Sequence, residues 1–440
     1  MKTTWTRLVR PLAAGLLTFV AAALGFAPHG EGWREMKWTL SGAPVAEAAT
    51  EEVNVDGVLH VRNGTQPTGG VESLRLEELW RVGGEDDDVI FGLIPRAAAD
   101  AEGNVYVLDS QLCQVSVYSP DGELVRTLFR EGEGPGEVRQ PRDMFLLGDG
   151  RVALIQEFPG TVSMVDNNGN PAGRVTVGGQ EGGIFSLTAC DGAGEIILVS
   201  GTEMGQSTTP GIQPRTNFLS SISLNGLESV RYADLYTEYN FEDFHFKELE
   251  HMPSFWWCFA AAPDGRMYVV PSRENYEIHA FHPDGTLDRI IECDFKPQAR
   301  DPEEAAFTKS LVESALSNLP FEFRVTVEET AAAVAYLQRG LRVRPDGSLW
   351  VLSGEGIRDL PEGVLARFDV FEPTGEFTKQ IQLRGPGSGR DDGIFFVGDD
   401  RCVVINGYIE SLAAQFGDGT TYSEEEESDP VEVICYRMVK

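Results

Sequence analysis

Apolar and polar residues alternate in short runs along the chain, and each run ends on a tight-turn signal. From Gly103 it reads GNVYVLDSQLCQVSVYSPDGELVRTLF. NVYVLD alternates with a period of two, as a half-buried strand does. QVSVYSPDGELVRTLF is two such runs around Pro120-Asp121-Gly122, residues that supply the backbone angles of a tight turn. The same order returns at Gly148 (GDGRVALIQ, then TVSMVDNNGNPAGRVTVGG) and at Gly192 (GAGEIILVSG, then FLSSISLNGLESVRYADL). It returns again at Pro263 (PDGRMYVVP), Pro345 (PDGSLWVLS) and Gly398 (GDDRCVVING). The spacing of roughly 40 to 80 residues is that of a four-stranded propeller blade with variable loops.

The sixth unit reaches Lys440 without a fourth strand. LRLEELWRVGG, from Leu74, has the pattern of the missing one, an apolar strand leading into a glycine-rich acidic crossing. The predicted fold is therefore all-β: a six-bladed β-propeller of four-stranded antiparallel blades over residues 71–440. The N-terminal strand closes the ring, which removes exposed sheet edges. Residues 301–340 break the pattern. Asp301 before Pro302-Glu303-Glu304 reads as a helix cap, and Phe307, Leu311, Ala315 and Leu319 follow at helical spacing. Thr326 with Glu329 reads as a capping box opening a second helix that ends at Gly340. A helical hairpin between blades four and five is expected.

The glycine-rich stretch EGEGPGEVRQP, beginning at Glu131, has the look of a phosphate loop. Such a loop needs a following helix and usually a Lys-Ser or Lys-Thr pair. Val138-Arg139-Gln140-Pro141 offers neither, so the stretch reads as a crossing between blades.

The succession P-x-x-hydrophobic, D-x-x-G-N-V-Y-V-L-D, V-x-V-Y-x-P-D-G and G-E-G-P-G-E-…-P resembles NHL-type repeats. The match is best over Pro95–Pro141, good in units four and five, and loose in the others. The chain is similar to six-bladed β-propellers of exported bacterial proteins. That resemblance implies a fold and a habit of binding, with no single reaction. Propellers of related build include lactone hydrolases and lyases that hold a central metal.

Composition sets the surroundings. The formal charge of −33 repels DNA, RNA and anionic lipid, so no nucleic-acid partner is expected. Lys2, Arg7 and Arg10 precede an apolar run from Pro11 to Ala27, and residues 1–27 read as an export signal or an uncleaved anchor. The expected location is periplasmic or secreted, with membrane contact only through that segment if it is retained. Residues 28–70 read as a low-order linker. Six cysteines follow without a CxxC pair. Cys402 and Cys435, on neighbouring strands of one blade, are the expected disulfide if their register allows it, and free buried thiols are the alternative.

Sorting the connections places every long segment on one face, which points to that face, at the channel mouth, as the binding side. Arg96, Arg142 and Arg342 stand near the starts of inner strands. Three arginines there suit a carboxylate, phosphate or sulfated sugar, unless they pair with carboxylates such as Asp143, Asp391 or Asp392. Trp256 and Trp257 either cover the top of blade four or stack on a ligand. Arg273 and Tyr276 would be rim contacts. His245 and His251 are weak metal candidates without a third ligand. Glu85–Asp88, and Glu424–Glu427 with Asp429, are acidic runs without the spacing of a calcium loop. No cofactor is expected, with calcium as the one weak candidate. The inner strands carry few carboxylates and no histidine, so the expected function is non-enzymatic binding of a protein, peptide or glycan by a monomer. A metal-dependent lactone hydrolase or lyase acting at the channel is the alternative.

Overall fold

The computed structural model describes residues 50–85, 87–179, 183–317, 319–416 and 430–440. The alternating runs form a mostly β, propeller-like fold of four-stranded antiparallel units. The first unit joins Arg96–Ala99, Val105–Asp109, Gln114–Tyr118 and Leu124–Leu128 in sequence order. Units starting at Pro141, Ile184, Phe259 and Leu341 repeat that order. Middle strands such as Val105–Asp109, Val152–Gln156 and Thr161–Val165 are buried along their whole length. They are covered on both faces, so apolar residues fill both sides of the pleat. Outer strands such as Glu228–Asn240 stay mostly exposed or half-exposed.

Three strands near the N-terminus, β1 (Glu51–Val55), β2 (Val58–Asn63) and β3 (Val71–Gly83), join sheets formed much later in the chain. β3 runs antiparallel to Glu432–Val439, with Arg75 opposite Val439 and Gly83 opposite Glu432. It thus stands beside the strands Gly393–Val397 and Arg401–Ile405 as the fourth of their group. Its first residues also pair in parallel with Gln380–Arg384, which merges two units into one eight-stranded sheet. Trp80 of β3 donates its indole N–H to Pro120 O at 3.2 Å and lies 5.7 Å from the Tyr118 ring. Gly122 follows in that turn with φ +87°, and a Cβ there would sit 2.6 Å from Trp80. Only glycine satisfies both the turn angle and the contact.

Residues 51–63, read from sequence as part of a low-order linker, are instead the β1–β2 hairpin, with β2 laid parallel to Leu287–Cys293. Asn63 fixes this addition. Its side-chain amide donates to Glu292 O and Gly375 O at 3.1 and 3.0 Å, and its carbonyl oxygen accepts from Phe377 N at 2.9 Å.

The first helix of the expected hairpin forms over Pro302–Leu316, capped by Asp301, whose carboxylate accepts from Glu303 N at 2.8 Å. Asp301→Ala should cost about 1 kcal/mol, read as a lower urea midpoint with unchanged slope. The second helix does not form. Phe323–Thr326 is a strand parallel to Phe244–Lys247, and Ala331–Tyr336 is fully buried outside any helix. Ala333 N and Ala335 N donate to Arg273 O and Leu352 O, each at 2.9 Å. Tertiary hydrogen bonds and burial on all sides outweigh the helical preference of a short alanine run. A helix the sequence did not suggest forms at Tyr408–Phe416.

The cysteine pairing is also corrected: all six cysteines are free. Cys402 lies opposite Tyr436, and Cys435 opposite Val403. An offset of one residue turns the two thiols to opposite faces of the sheet.

The glycine-rich stretch is a crossing, as read. Glu137 accepts from Gly134 N at 2.8 Å and from Arg130 Nε at 2.8 Å, so one amide that a phosphate loop would offer is already taken. No helix among the described residues is long and apolar enough to cross a membrane. The basic start and apolar run lie outside the described residues.

Candidate functional site: an arginine-lined central cavity

The first strands of successive units lie side by side: Arg96–Ala99 next to Pro141–Leu146, then Ile184–Ala193, Phe259–Ala261 and Leu341–Val343. Arg342 Nη2 donates to Ile394 O at 3.1 Å, linking Leu341–Val343 to Gly393–Val397. That last strand returns to Arg96–Ala99. These strands surround a cavity of about 650 Å³. Gly148, Gly194, Pro263, Pro345 and Gly398, from the short turns between first and second strands, line one end. The cavity therefore opens on the short-turn side.

The opposite end, expected from sequence to be the binding mouth, holds only about 40 Å³ of space among Pro95, Arg142, Trp257, Arg339, Tyr408 and Leu412. The long insertions fold back over the ring centre and fill it. Tyr408, fully buried, donates from its hydroxyl to Pro95 O at 3.4 Å.

Of the three arginines read from sequence, Arg96 and Arg342 reach the cavity. Arg142 does not. It lies at the filled end, where its Nε donates to Glu157 at 2.6 Å. Two further arginines, Arg339 and Arg344, complete the lining. Sequence gave no signal for Arg339, which falls inside the supposed second helix.

The four guanidiniums are held differently. Arg96 meets Asp191 at 3.3 Å. Arg339 meets the buried Asp143 at 2.6 Å, and Asp143 is itself fixed by Cys190 N at 2.7 Å. Arg342 donates to the carbonyls of Arg339, Leu341, Gln338 and Ile394, with no carboxylate among its partners. Burial, then Arg96 and Arg339 beside it, pulls its guanidinium down to about 9. Arg344 donates to Asp399 O at 2.7 Å and stacks on the Phe396 and Trp350 rings; burial lowers its pKa too. Arg339 has a left-handed backbone, φ +55°. It is 6% exposed, and its Nε is buried without a hydrogen-bond partner. A strained, bulky residue with an unsatisfied buried donor costs stability, and such residues gather at functional sites.

The remaining candidates are engaged elsewhere. Trp257 is buried and packs edge-on against Trp256, whose indole donates to Gly201 O at 3.1 Å. They cover the core, the first of the two roles considered. Arg273 and Tyr276 are buried and not on a rim: Arg273 pairs with Glu248, and Tyr276 donates to Asp369 at 2.8 Å. His245 meets Thr326, while His251 is buried with its Nδ1 on Lys247. Asp87 accepts from Gly83 N and Val89 N, and Asp86 and the run Glu424–Asp429 lie outside the described residues. Among the described residues no three His, Cys, Asp or Glu side chains converge as a metal site would require.

No family model matches the chain, and no curated protein does. Solved structures with a related backbone include a proposed exported protein from Bacteroides fragilis, at 13% identity over 84% of this chain and 100% of that one, with a TM-score of 0.43. A member of the duf4221 family from Bacteroides vulgatus is 8% identical over 83% and 98%, with a TM-score of 0.43. Virginiamycin B lyase from Staphylococcus aureus is 8% identical over 83% and 100%, with a TM-score of 0.38.

Proposed function

We propose that this chain is a six-bladed β-propeller, closed by β3, that works as an exported binding protein and takes a small anion into its central cavity from the short-turn side. The observation that carries the reading is the pair Arg339 and Arg342: Arg339 is buried with an unpartnered Nε, and beside it the half-buried Arg342 guanidinium has carbonyl partners only. Buried charge without a counter-charge is costly, and an anion in the cavity would offset that cost. The basic start and apolar run of residues 1–27 support export.

The metal-dependent hydrolase or lyase alternative is weaker on donor chemistry. A cation in this cavity would face four arginines, and the carboxylate on the wall, Asp191, is already on Arg96. A protein, peptide or glycan could still present its acid group here, but on the side opposite to the one expected from sequence.

Calorimetric titration of the full chain with sulfate and with succinate tests the reading. Saturable binding is expected, weakened about tenfold or more by Arg96→Gln at an unchanged melting temperature. Failure of both anions to bind wild-type protein would overturn it.

A further inference from the structure

We infer that the central cavity takes a short peptide by its C-terminus, with the carboxylate at the arginines in its depth and the N-terminal ammonium at a ring of acidic turns around its mouth. The inference rests on the anion reading above and goes further by naming the class of ligand.

The ring is written in the turns. Ala99, Gly148, Gly194, Pro263, Pro345 and Gly398 line the cavity. Each is followed directly by an acidic residue: Asp100, Asp149, Glu195, Asp264, Asp346 and Asp399. All but Asp100 are exposed. Asp100, Asp149, Asp264 and Asp346 hold their own turns by accepting from backbone N–H groups two or four residues on. Arg151 and Arg266 also face Asp149 and Asp264. Glu195 and Asp399 accept no hydrogen bond on their carboxylates from a described residue. The carboxylates of Asp346 and Asp399 act on Arg344, so that arginine belongs to the acidic end.

The other positive groups lie deeper. Arg342 reaches the carbonyls of residues 338, 339 and 341, toward the filled end. Arg339, 6% exposed, lines the same depth with its Nε unpartnered. Arg96 is already on Asp191. Charge therefore changes sign along the cavity, basic at the filled end and acidic at the opening. A simple anion meets repulsion at the rim. A molecule with an acid at one end and an ammonium at the other matches both, and enters acid first.

Span and polarity make that molecule a peptide. Arg342 and Asp346 are four residues apart, about 13 Å of extended chain. One amino acid is too short for that, whereas three or four extended residues reach across it at about 3.3–3.6 Å each. The first strand of every unit is also the last strand of its sheet. It pairs on one side only and turns its other backbone edge to the cavity. Such N–H and C=O groups need partners, and an extended peptide supplies them on open strand edges.

The test is calorimetry on the full chain at constant ionic strength, with trialanine, acetyl-trialanine, trialanine amide, sulfate and succinate. In wild-type protein, trialanine with both ends free should bind about tenfold or more tighter than either blocked form. In the double variant Glu195→Gln with Asp399→Asn, the preference for the free N-terminus should shrink to about threefold or less at an unchanged melting temperature. If sulfate or succinate binds wild-type protein but either blocked peptide binds as tightly as trialanine, the inference is overturned and the anion reading stands. An undiminished preference for the free N-terminus in the folded double variant would overturn it too. If neither the peptides nor the two anions bind wild-type protein, both fall.

Discussion

Glu248→Gln is expected to lower the stability of the fold by about 3–5 kcal/mol, the usual cost of removing one partner from a buried ionic cluster. Glu248 is fully buried. One carboxylate oxygen accepts from Arg273 and, at 2.7 Å, from the Tyr336 hydroxyl. The other accepts from Arg300 at 2.9 Å and from Glu328 N at 2.8 Å. Four segments distant in sequence meet on one side chain. Glutamine keeps the shape but not the charge, and its amide offers donors where donors already point. Arg273, 5% exposed, would lose a counter-charge it cannot replace from solvent, and Arg300, 6% exposed, would keep only Glu304, at 3.3 Å. The measurement is the guanidinium midpoint. A loss under about 1 kcal/mol would mean that water reaches the cluster and the ions are already hydrated. Anion binding in the central cavity should not change.

The same carboxylate makes that difference depend on pH. Burial alone would raise the Glu248 pKa, but Arg273 and Arg300 outweigh it and hold the group below its usual range. A depressed carboxyl stabilises the fold fully above its unfolded pKa, about 4.3, and loses that effect as pH falls through the folded value. The gap between wild type and Glu248→Gln should be constant near neutrality and close on acidification below about pH 4.

How far sequence reaches can be seen by comparing particular segments. Blade-like units were legible because period-two alternation and Pro-Asp-Gly turns are local signals, and each unit repeats them. The role of β3 was legible only by elimination, from a last unit one strand short. The β1–β2 hairpin carried a visible cue, VNV and VLHV around Asp56-Gly57, but its exposed first strand and polar setting resemble a linker. The supposed second helix failed because capping and alanine content are local, whereas burial of Ala331–Tyr336 on every side is set by the whole ring. The same limit hid the site. Arg96 and Arg342 are placed by strand starts, which a repeat alignment recovers. Arg339 reaches the cavity from a left-handed turn whose position depends on that misread segment. The open end was misjudged because long loops mark a face without showing whether they frame a hole or fill it.

A chain beginning at Gly84, which lacks β1, β2 and β3, is expected to lose its single cooperative transition, whereas one beginning at Val71, which lacks only β1 and β2, should keep it. The contrast isolates ring closure. β1 and β2 extend the outer edge of one unit, so removing them uncovers Leu287–Cys293 but leaves that unit its own four strands. β3 lies between two strands, hydrogen-bonded on one side to Glu432–Val439 and at its start to Gln380–Arg384. Without it, the last unit keeps only three strands, with a row of open backbone groups on Glu432–Val439, each lost hydrogen bond costing about 1 kcal/mol. Trp80 leaves with it, and Trp80→Ala alone should cost about 3–5 kcal/mol. These terms together are comparable with the whole stability of an ordinary domain, about 5–15 kcal/mol. Thermal unfolding followed by circular dichroism would decide the matter. If the chain from Gly84 melts as sharply and as high as the chain from Val71, β3 is an ornament on the sheet, and the cavity it was thought to enclose would need another explanation for its shape.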